Sequence, residues 1–262
     1  MIKKRAVSMI LSVSMACSFL VVERGEANQN SAEVRGSANT MIEYNQVVLT
    51  PMDFMCQIFQ RFQSKRTQEI VGGWAINQDS TLPKDNPEAM QVFKKATRDL
   101  EGYRYQVVAV LGLQVVAGMN YSYLCTAKMS VPQAKTEYHI VTVYENLNGE
   151  ASVTSAQNLL PVSQEGMTGG WQYNQGKPEL KAHPKVQETL KQATQDLLDT
   201  AYTPIAYIGT QVTNGTNYAV VCRIKPEYPK AIGEFYLVTV HRGTDGQIAL
   251  GEVSMLDIAV KA

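Results

Sequence analysis

The chain contains one long internal repeat, and this repeat constrains the fold more than any other feature. Gly72-Gly73-Trp74 returns as Gly169-Gly170-Trp171, 97 positions further along. The register holds along the whole unit without an insertion, which indicates a tandem duplication. The same offset also relates Asn77-Gln78 to Asn174-Gln175, Gln114-Val115 to Gln211-Val212, Asn120-Tyr121 to Asn217-Tyr218, Cys125 to Cys222, and Val141-Thr142-Val143 to Val238-Thr239-Val240.

Each copy is predicted to contain one helix followed by an antiparallel meander. A short strand from Ile70 to Ile76 precedes a helix from about Pro87 to Glu101, with Asn86 as its N-cap. The helix has one apolar stripe, made of Ala89, Val92, Phe93, Ala96 and Leu100. Four extended segments follow, over residues 103–116, 119–129, 136–144 and 151–160, with a turn at Asn146-Leu147-Asn148-Gly149. This order predicts an α+β unit whose helix packs on the concave face of a sheet of four to five antiparallel strands.

The N-terminus has the pattern of a secretory signal peptide. Lys3, Lys4 and Arg5 precede an uncharged apolar run over residues 6–22, and Gly25-Glu26-Ala27 supplies small residues for cleavage. A membrane anchor is less favoured because the run is short for a bilayer span of roughly 20 residues. Lipid attachment at Cys17 ranks second after the cleaved signal peptide. The mature protein is therefore expected to be secreted or periplasmic.

The domain boundaries follow from the repeat and the signal peptide. Residues 1–27 are assigned to the signal peptide, 28–69 to a leader, 70–162 to the first domain and 167–260 to the second. The leader begins polar and rich in Ser, Asn and Gly, which is typical of a linker. Residues 51–65 are predicted to form a short amphipathic helix that docks on the first domain, or else covers a binding edge.

Composition excludes some classes of partner. The chain has 262 residues, of which 45% are hydrophobic and 18% charged, and its formal net charge is zero. Without a basic excess there is nothing to hold a nucleic-acid backbone or an acidic membrane surface. Two of the four cysteines, Cys17 and Cys56, precede the repeats, while Cys125 and Cys222 occupy equivalent positions within them. Two buried free thiols are favoured over one disulfide between the copies.

The stretch from Leu113 to Tyr121 predicts a hairpin with an apolar tip. Val115 and Val116 favour extended backbone, and Gly118 allows the positive φ that a narrow turn needs. A rigid tip of this kind suits insertion into a groove on another protein.

The hairpin resembles a known inhibitor motif. Gln114, Val116 and Gly118 read as Gln-x-Val-x-Gly, and Asn120-Tyr121 follows, which together resemble the first binding hairpin of the cystatin superfamily, closest to the stefin branch. The resemblance covers residues 70–260 and implies two cystatin-like domains. It further implies that the edge of the first domain occludes the cleft of a papain-like cysteine protease. The implied protease-binding residues are Gly72, Gly73, Gln114, Val115, Val116, Ala117, Gly118, Leu147 and Asn148.

The copies match the family pattern unequally. In the first copy, Ile70 and Val71 precede the glycines as in stefins, but the second hairpin lacks the Pro of stefins and the Trp of secreted cystatins. In the second copy Thr213 and Asn214 stand where the first has Val116 and Ala117, so that copy is expected to be weak or inactive. Its equivalent positions are Gly169, Gly170, Gln211, Val212, Thr213, Asn214 and Gly215. Trp74 and Trp171 are expected to pack under the helices.

Catalysis is not expected. None of the three histidines, His139, His183 and His241, is retained between the copies, so a duplicated metal site or triad is improbable. Neither glycine pair has the spacing of a phosphate loop, and no cofactor is expected. The main alternative to an inhibitor is a protein-binding or structural module on the same fold without inhibitory activity.

Overall fold

A computed structural model describes residues 73–161 and 169–258. Several sequence predictions lie outside these residues: the signal peptide, the lipid site at Cys17, the leader with its helix and Cys56, the segment from Ile70 to Gly72, and most of the connection between the copies. Among the described residues, no helix is long and apolar enough to cross a membrane.

The two copies have the same elements in the same order. The first contains β1 (Trp74–Ile76), α1 (Pro87–Thr97), β2 (Tyr103–Val116), β3 (Gly118–Met129), β4 (Thr136–Glu145) and β5 (Ala151–Asn158). The second contains β6 (Trp171–Tyr173), α2 (Pro184–Thr194), β7 (Thr200–Thr213), β8 (Gly215–Pro226), β9 (Glu234–Arg242) and β10 (Ile248–Met255). A short 3-10 turn precedes each helix, at Pro83–Asp85 and Leu180–Ala182.

Each copy forms one antiparallel sheet of five strands, in chain order from edge to edge. The predicted α+β class with two sheet-and-helix units is therefore confirmed. All described residues belong to one compact unit. Each sheet packs one face against the helix of its own copy and the other face against the sheet of the other copy.

Only part of the predicted apolar stripe of α1 packs on the first sheet. Ala89, Val92 and Phe93 are buried against the sheet, and the Phe93 ring meets the ring of Tyr123 edge-on at 4.9 Å. The prediction was wrong about Leu100, because α1 ends at Thr97 and the Leu100 side chain is 39% exposed. Asn86 is the N-cap residue as predicted, and its carbonyl accepts from the Met90 N–H at 3.1 Å. Its side chain makes no cap bond to the helix; the amide donates to the carbonyls of Ser80 and Leu82 instead.

The other faces of the two sheets share one apolar core. Leu111, Leu124 and Tyr138 from the first sheet are fully buried together with Ile208 and Phe235 from the second. Trp74 and Trp171 pack against this core, so the expectation that they lie under the helices was wrong. Burial of this shared face makes the two copies depend on each other for part of their hydrophobic stabilisation.

Two glutamines connect the copies reciprocally. The Gln78 amide donates to the Gly233 carbonyl at 2.9 Å and accepts from the Gly233 N–H at 2.8 Å. Gln175 makes the same pair of bonds with Thr136, at 2.9 and 2.8 Å. Gln78 and Gln175 are equivalent in the repeat, and so are Thr136 and Gly233, so the duplicated units pack as a pseudo-symmetric pair.

Candidate functional site

Strand register brings three segments of the first copy to one end of its sheet. Trp74 pairs with Gln114, which places Gly73 beside the β2–β3 turn. Met119, just after that turn, pairs with Glu145, the last residue before the β4–β5 turn. We call residues 73, 113–118 and 146–149 the first turn end, and residues 169–170, 210–215 and 243–246 the second turn end.

The first turn end exposes apolar side chains on both of its turns. The exposed fraction is 60% for Val115, 41% for Val116 and 84% for Leu147. Leu113 and Ala117 are also exposed, and so are Gly73 and Asn148. Full burial of a Val or Leu side chain is worth roughly 1.5–3 kcal/mol, so this cluster can gain substantially from contact with another molecule.

The second turn end builds the same turns from polar residues. Thr210, Thr213, Asn214 and Thr244 replace Leu113, Val116, Ala117 and Leu147, and Val212 alone retains an apolar side chain, with 61% of it exposed. Because the polar copy keeps the same strands and turns, the fold does not require apolar residues at these positions. Their presence in the first copy calls for an explanation outside folding.

The glycine of each first turn is required by the backbone. Gly118 and Gly215 have φ values of +124° and +121°. A Cβ on Gly118 would lie 2.3 Å from the Glu145 carbonyl oxygen, and one on Gly215 would lie 2.4 Å from that of Arg242. Close passage of a neighbouring strand therefore accounts for glycine at this position in both copies.

The repeated Gln and Asn of the motif bond to each other across the hairpin. The Asn120 amide donates to Gln114 Oε1 at 2.7 Å, and Asn217 donates to Gln211 Oε1 at 2.8 Å. Gln211 also donates to the carbonyl of Gly169 at 2.7 Å, which ties the leading segment to the second hairpin. The motif residues shared by the copies thus have a structural role in both, whereas the tip residues differ.

The second turn of the first copy is held by Asn146 and Lys95. Asn146 Oδ1 accepts from the backbone N–H groups of Asn148 and Glu150, at 2.9 and 3.0 Å. Lys95 near the end of α1 donates to Glu145 at 3.0 Å and to the Gly149 carbonyl at 3.3 Å. These contacts fix the turn while leaving Leu147 exposed. Sequence reasoning identified the turn but missed Lys95, since its partner lies 50 residues away.

The two cysteines of the described residues are poorly placed for nucleophilic chemistry. Cys125 and Cys222 are free and buried, and burial raises the pKa of each thiol well above its ordinary value, which suppresses the reactive thiolate. No group of three or more His, Cys, Asp or Glu side chains in the described ranges could hold a metal ion.

The sequence analysis compared the histidines of the copies but did not consider a carboxylate that recurs on β4 and β9. Glu137 and Glu234 are equivalent, and strand alternation places Glu137 on the same face as Val141 and Val143, which pack on the helix side. Glu137 contacts His139 Nε2 at 2.9 Å, while Glu234 is buried and accepts from the Tyr236 hydroxyl at 3.4 Å. The offset of 97 could have revealed this pair from the sequence. The partner has changed from His to Tyr, so the pair is not a repeated acid–base couple.

Comparison with known proteins leaves the family undetermined. No protein-family model matches the chain, and no curated protein sequence matches it. Among solved structures, the chain is similar to an Ntf2-like protein involved in plasmid conjugation, with a TM-score of 0.22 and 11% identity over 68% of this chain and 90% of that chain. A similarity at this level carries no argument about fold family or function.

Proposed function

We propose that the first turn end is a protein-binding wedge and that its partner is a papain-like cysteine protease, with both domains cystatin-like in fold. The observation that carries this proposal is the unequal chemistry of two otherwise equivalent ends. Only the first turn end exposes a cluster of apolar residues that the fold itself does not need.

The wedge would inhibit by filling the cleft. Val115, Val116 and Leu147 project from rigid turns and would be desolvated in a preformed apolar groove, with little ordering cost. Such contacts block the protease nucleophile without offering a correctly oriented peptide bond. Binding would be reversible and would need no cofactor. The chain itself is proposed to have no catalytic activity.

The resemblance to cystatins supports the choice of partner. Gly73, the Gln-x-Val-x-Gly hairpin and the second hairpin lie side by side at one end of the first sheet, and this arrangement supports the proposal of a cystatin-like wedge. Export through the signal peptide at residues 1–27 would bring the inhibitor to the secreted or periplasmic space, where it would meet such proteases.

The second turn end is proposed to be weak or inactive. Thr213, Asn214 and Thr244 would lose water in an apolar cleft, and an unpaired buried polar group costs roughly 1–3 kcal/mol. The second copy would then serve mainly to complete the shared core between the sheets.

One observation favours the alternative of a binding module without inhibitory activity. Gln114, Gly118 and Asn120 have structural roles that recur in the second copy, so these motif residues are not by themselves a mark of protease binding. Under this alternative the apolar tip still binds a protein, but the partner's groove is not a protease active site.

Titration of papain with the full chain tests the proposal. We expect reversible inhibition that Val116→Asp weakens by about thirtyfold or more, because a charge would enter an apolar cleft at a central contact. The equivalent change in the second copy, Thr213→Asp, serves as the matched control and should leave inhibition unchanged. Absence of inhibition by the folded wild-type chain, or equal sensitivity to both substitutions, would contradict the proposal.

A further inference from the structure

The ring of Tyr144 lies across the first turn. Tyr144 is the next-to-last residue of β4, and a Cβ on Gly118 would meet its Cε2 and hydroxyl at 2.9 Å. The hydroxyl donates to the carbonyl of Ala117, the one residue between β2 and β3. The Tyr144 side chain therefore connects β4 to the tip of the β2–β3 hairpin.

The equivalent residue in the second copy does not make this connection. His241 also lies against its glycine, with Cε1 2.9 Å from a Cβ placed on Gly215. Its Nδ1, however, is bonded to Asn217 Oδ1 at 2.7 Å, on β8 rather than at the tip. Tyr144 thus bonds to the tip in the first copy, whose tip is apolar. In the second copy, whose tip is polar, His241 bonds to Asn217 instead.

The residue after Tyr144 is connected to the second turn. Glu145 accepts from Lys95, which also donates to the Gly149 carbonyl. In the second copy Gln192 takes the place of Lys95 and donates to Glu188 of its own helix at 2.6 Å. In the first copy, Tyr144 at the end of β4 therefore contacts the β2–β3 turn. The next residue, Glu145, is joined through Lys95 of α1 to the β4–β5 turn.

From these contacts we propose that Tyr144 is a positioning residue that holds the β2–β3 turn in one conformation and so presents Val115 and Val116 to a partner. This inference deepens the proposed function and rests on it for the identity of the partner. Its physical basis is preorganisation: a tip that is ordered before binding loses less conformational entropy on association. Tyr144 itself need not touch the partner.

Hydrogen exchange of the full chain tests this role without a partner. Tyr144→Phe removes the hydroxyl and retains the ring against Gly118, and we expect amide exchange over residues 115–118 to rise about twofold to tenfold, the range for loss of one neutral hydrogen bond. Tyr105→Phe is the control, because the Tyr105 hydroxyl faces His139 at 3.5 Å rather than the turn. Residues 212–215 provide an internal reference in every sample. Unchanged exchange at 115–118 in Tyr144→Phe, or an equal rise in Tyr105→Phe, would overturn the assignment.

Association kinetics with papain give the second readout. A positioning role predicts that Tyr144→Phe raises the dissociation rate about twofold to tenfold and changes the association rate little. An unchanged dissociation rate, despite faster exchange at the tip, would overturn the link between tip order and binding. Failure of the wild-type chain to bind papain would contradict the proposed function, while the exchange comparison would still decide whether Tyr144 holds the turn.

Discussion

The two turn ends of this protein have the same backbone and opposite surface chemistry. Both have a glycine at positive φ where a neighbouring strand passes closely, and both have a Gln–Asn bond across the hairpin. At the tips, Val116 and Ala117 in one copy correspond to Thr213 and Asn214 in the other. The comparison separates residues that build the turns from residues that the turns display.

The supporting contacts differ in the same direction as the tips. Tyr144 and Lys95 bond to the two turns of the apolar copy, whereas His241 and Gln192 bond elsewhere. Side-chain bonds from Tyr144 and Lys95 to the turn backbone thus occur in the copy whose tips are apolar. This coincidence is what a binding surface needs, because a displayed side chain contributes more when its backbone is already ordered.

Substitution of the turn glycine should give the largest loss of stability, and the loss should be the same in both copies. Gly118→Ala and Gly215→Ala each place a Cβ within 2.3–2.4 Å of a carbonyl oxygen, at a φ that Ala rarely adopts. Each is expected to lower the free energy of unfolding by about 2–3 kcal/mol, which corresponds to a fall in melting temperature of about 5–10 °C. Thermal denaturation followed by circular dichroism measures this. A loss confined to one glycine would show that the turns are not built alike.

A smaller effect should again be shared. Gln114→Ala and Gln211→Ala remove the acceptor of the Asn120 and Asn217 amides, and loss of this bond is expected to lower the free energy of unfolding by roughly 1 kcal/mol in each. Gln211→Ala also removes the donor to the Gly169 carbonyl, which adds to its loss. Urea denaturation of the two variants gives the comparison directly. If Gln114→Ala left stability unchanged and affected only binding, Gln114 would belong to the displayed surface. Its assignment to the residues that build the turn would then be wrong.

Much of the fold is predictable from the sequence because the duplication repeats every local pattern. The offset of 97 predicted two units with the same elements, and the β-branched run before Gly118 predicted the hairpin and its turn. The helix end was harder. Leu100 continues the 3.6-residue spacing of α1, but the helix stops at Thr97 and the chain then turns toward Gly102, whose φ is +88°. Periodicity records which residues are apolar, not where the backbone leaves the helix.

Long-range packing limited the remaining predictions. A three-residue strand such as β1 alternates in the same way whichever face is buried, so the sequence could not place Trp74 in the core between the sheets. The contact of Tyr144 with Ala117 depends on the register between β3 and β4 across 27 residues of chain. The exposed apolar tip, in contrast, was predictable, because Val115 and Val116 adjoin a turn that leaves them little sheet to cover them.

Amide exchange of the wild-type chain, measured with and without excess papain, tests the central claim most directly. The account predicts protection of residues 113–118 and 146–149 in the complex and no change at residues 210–215 and 243–246. Protection of the second turn end, protection confined to the helices or strand edges, or no protection at all would contradict the claim that the apolar end of the first copy is the binding surface.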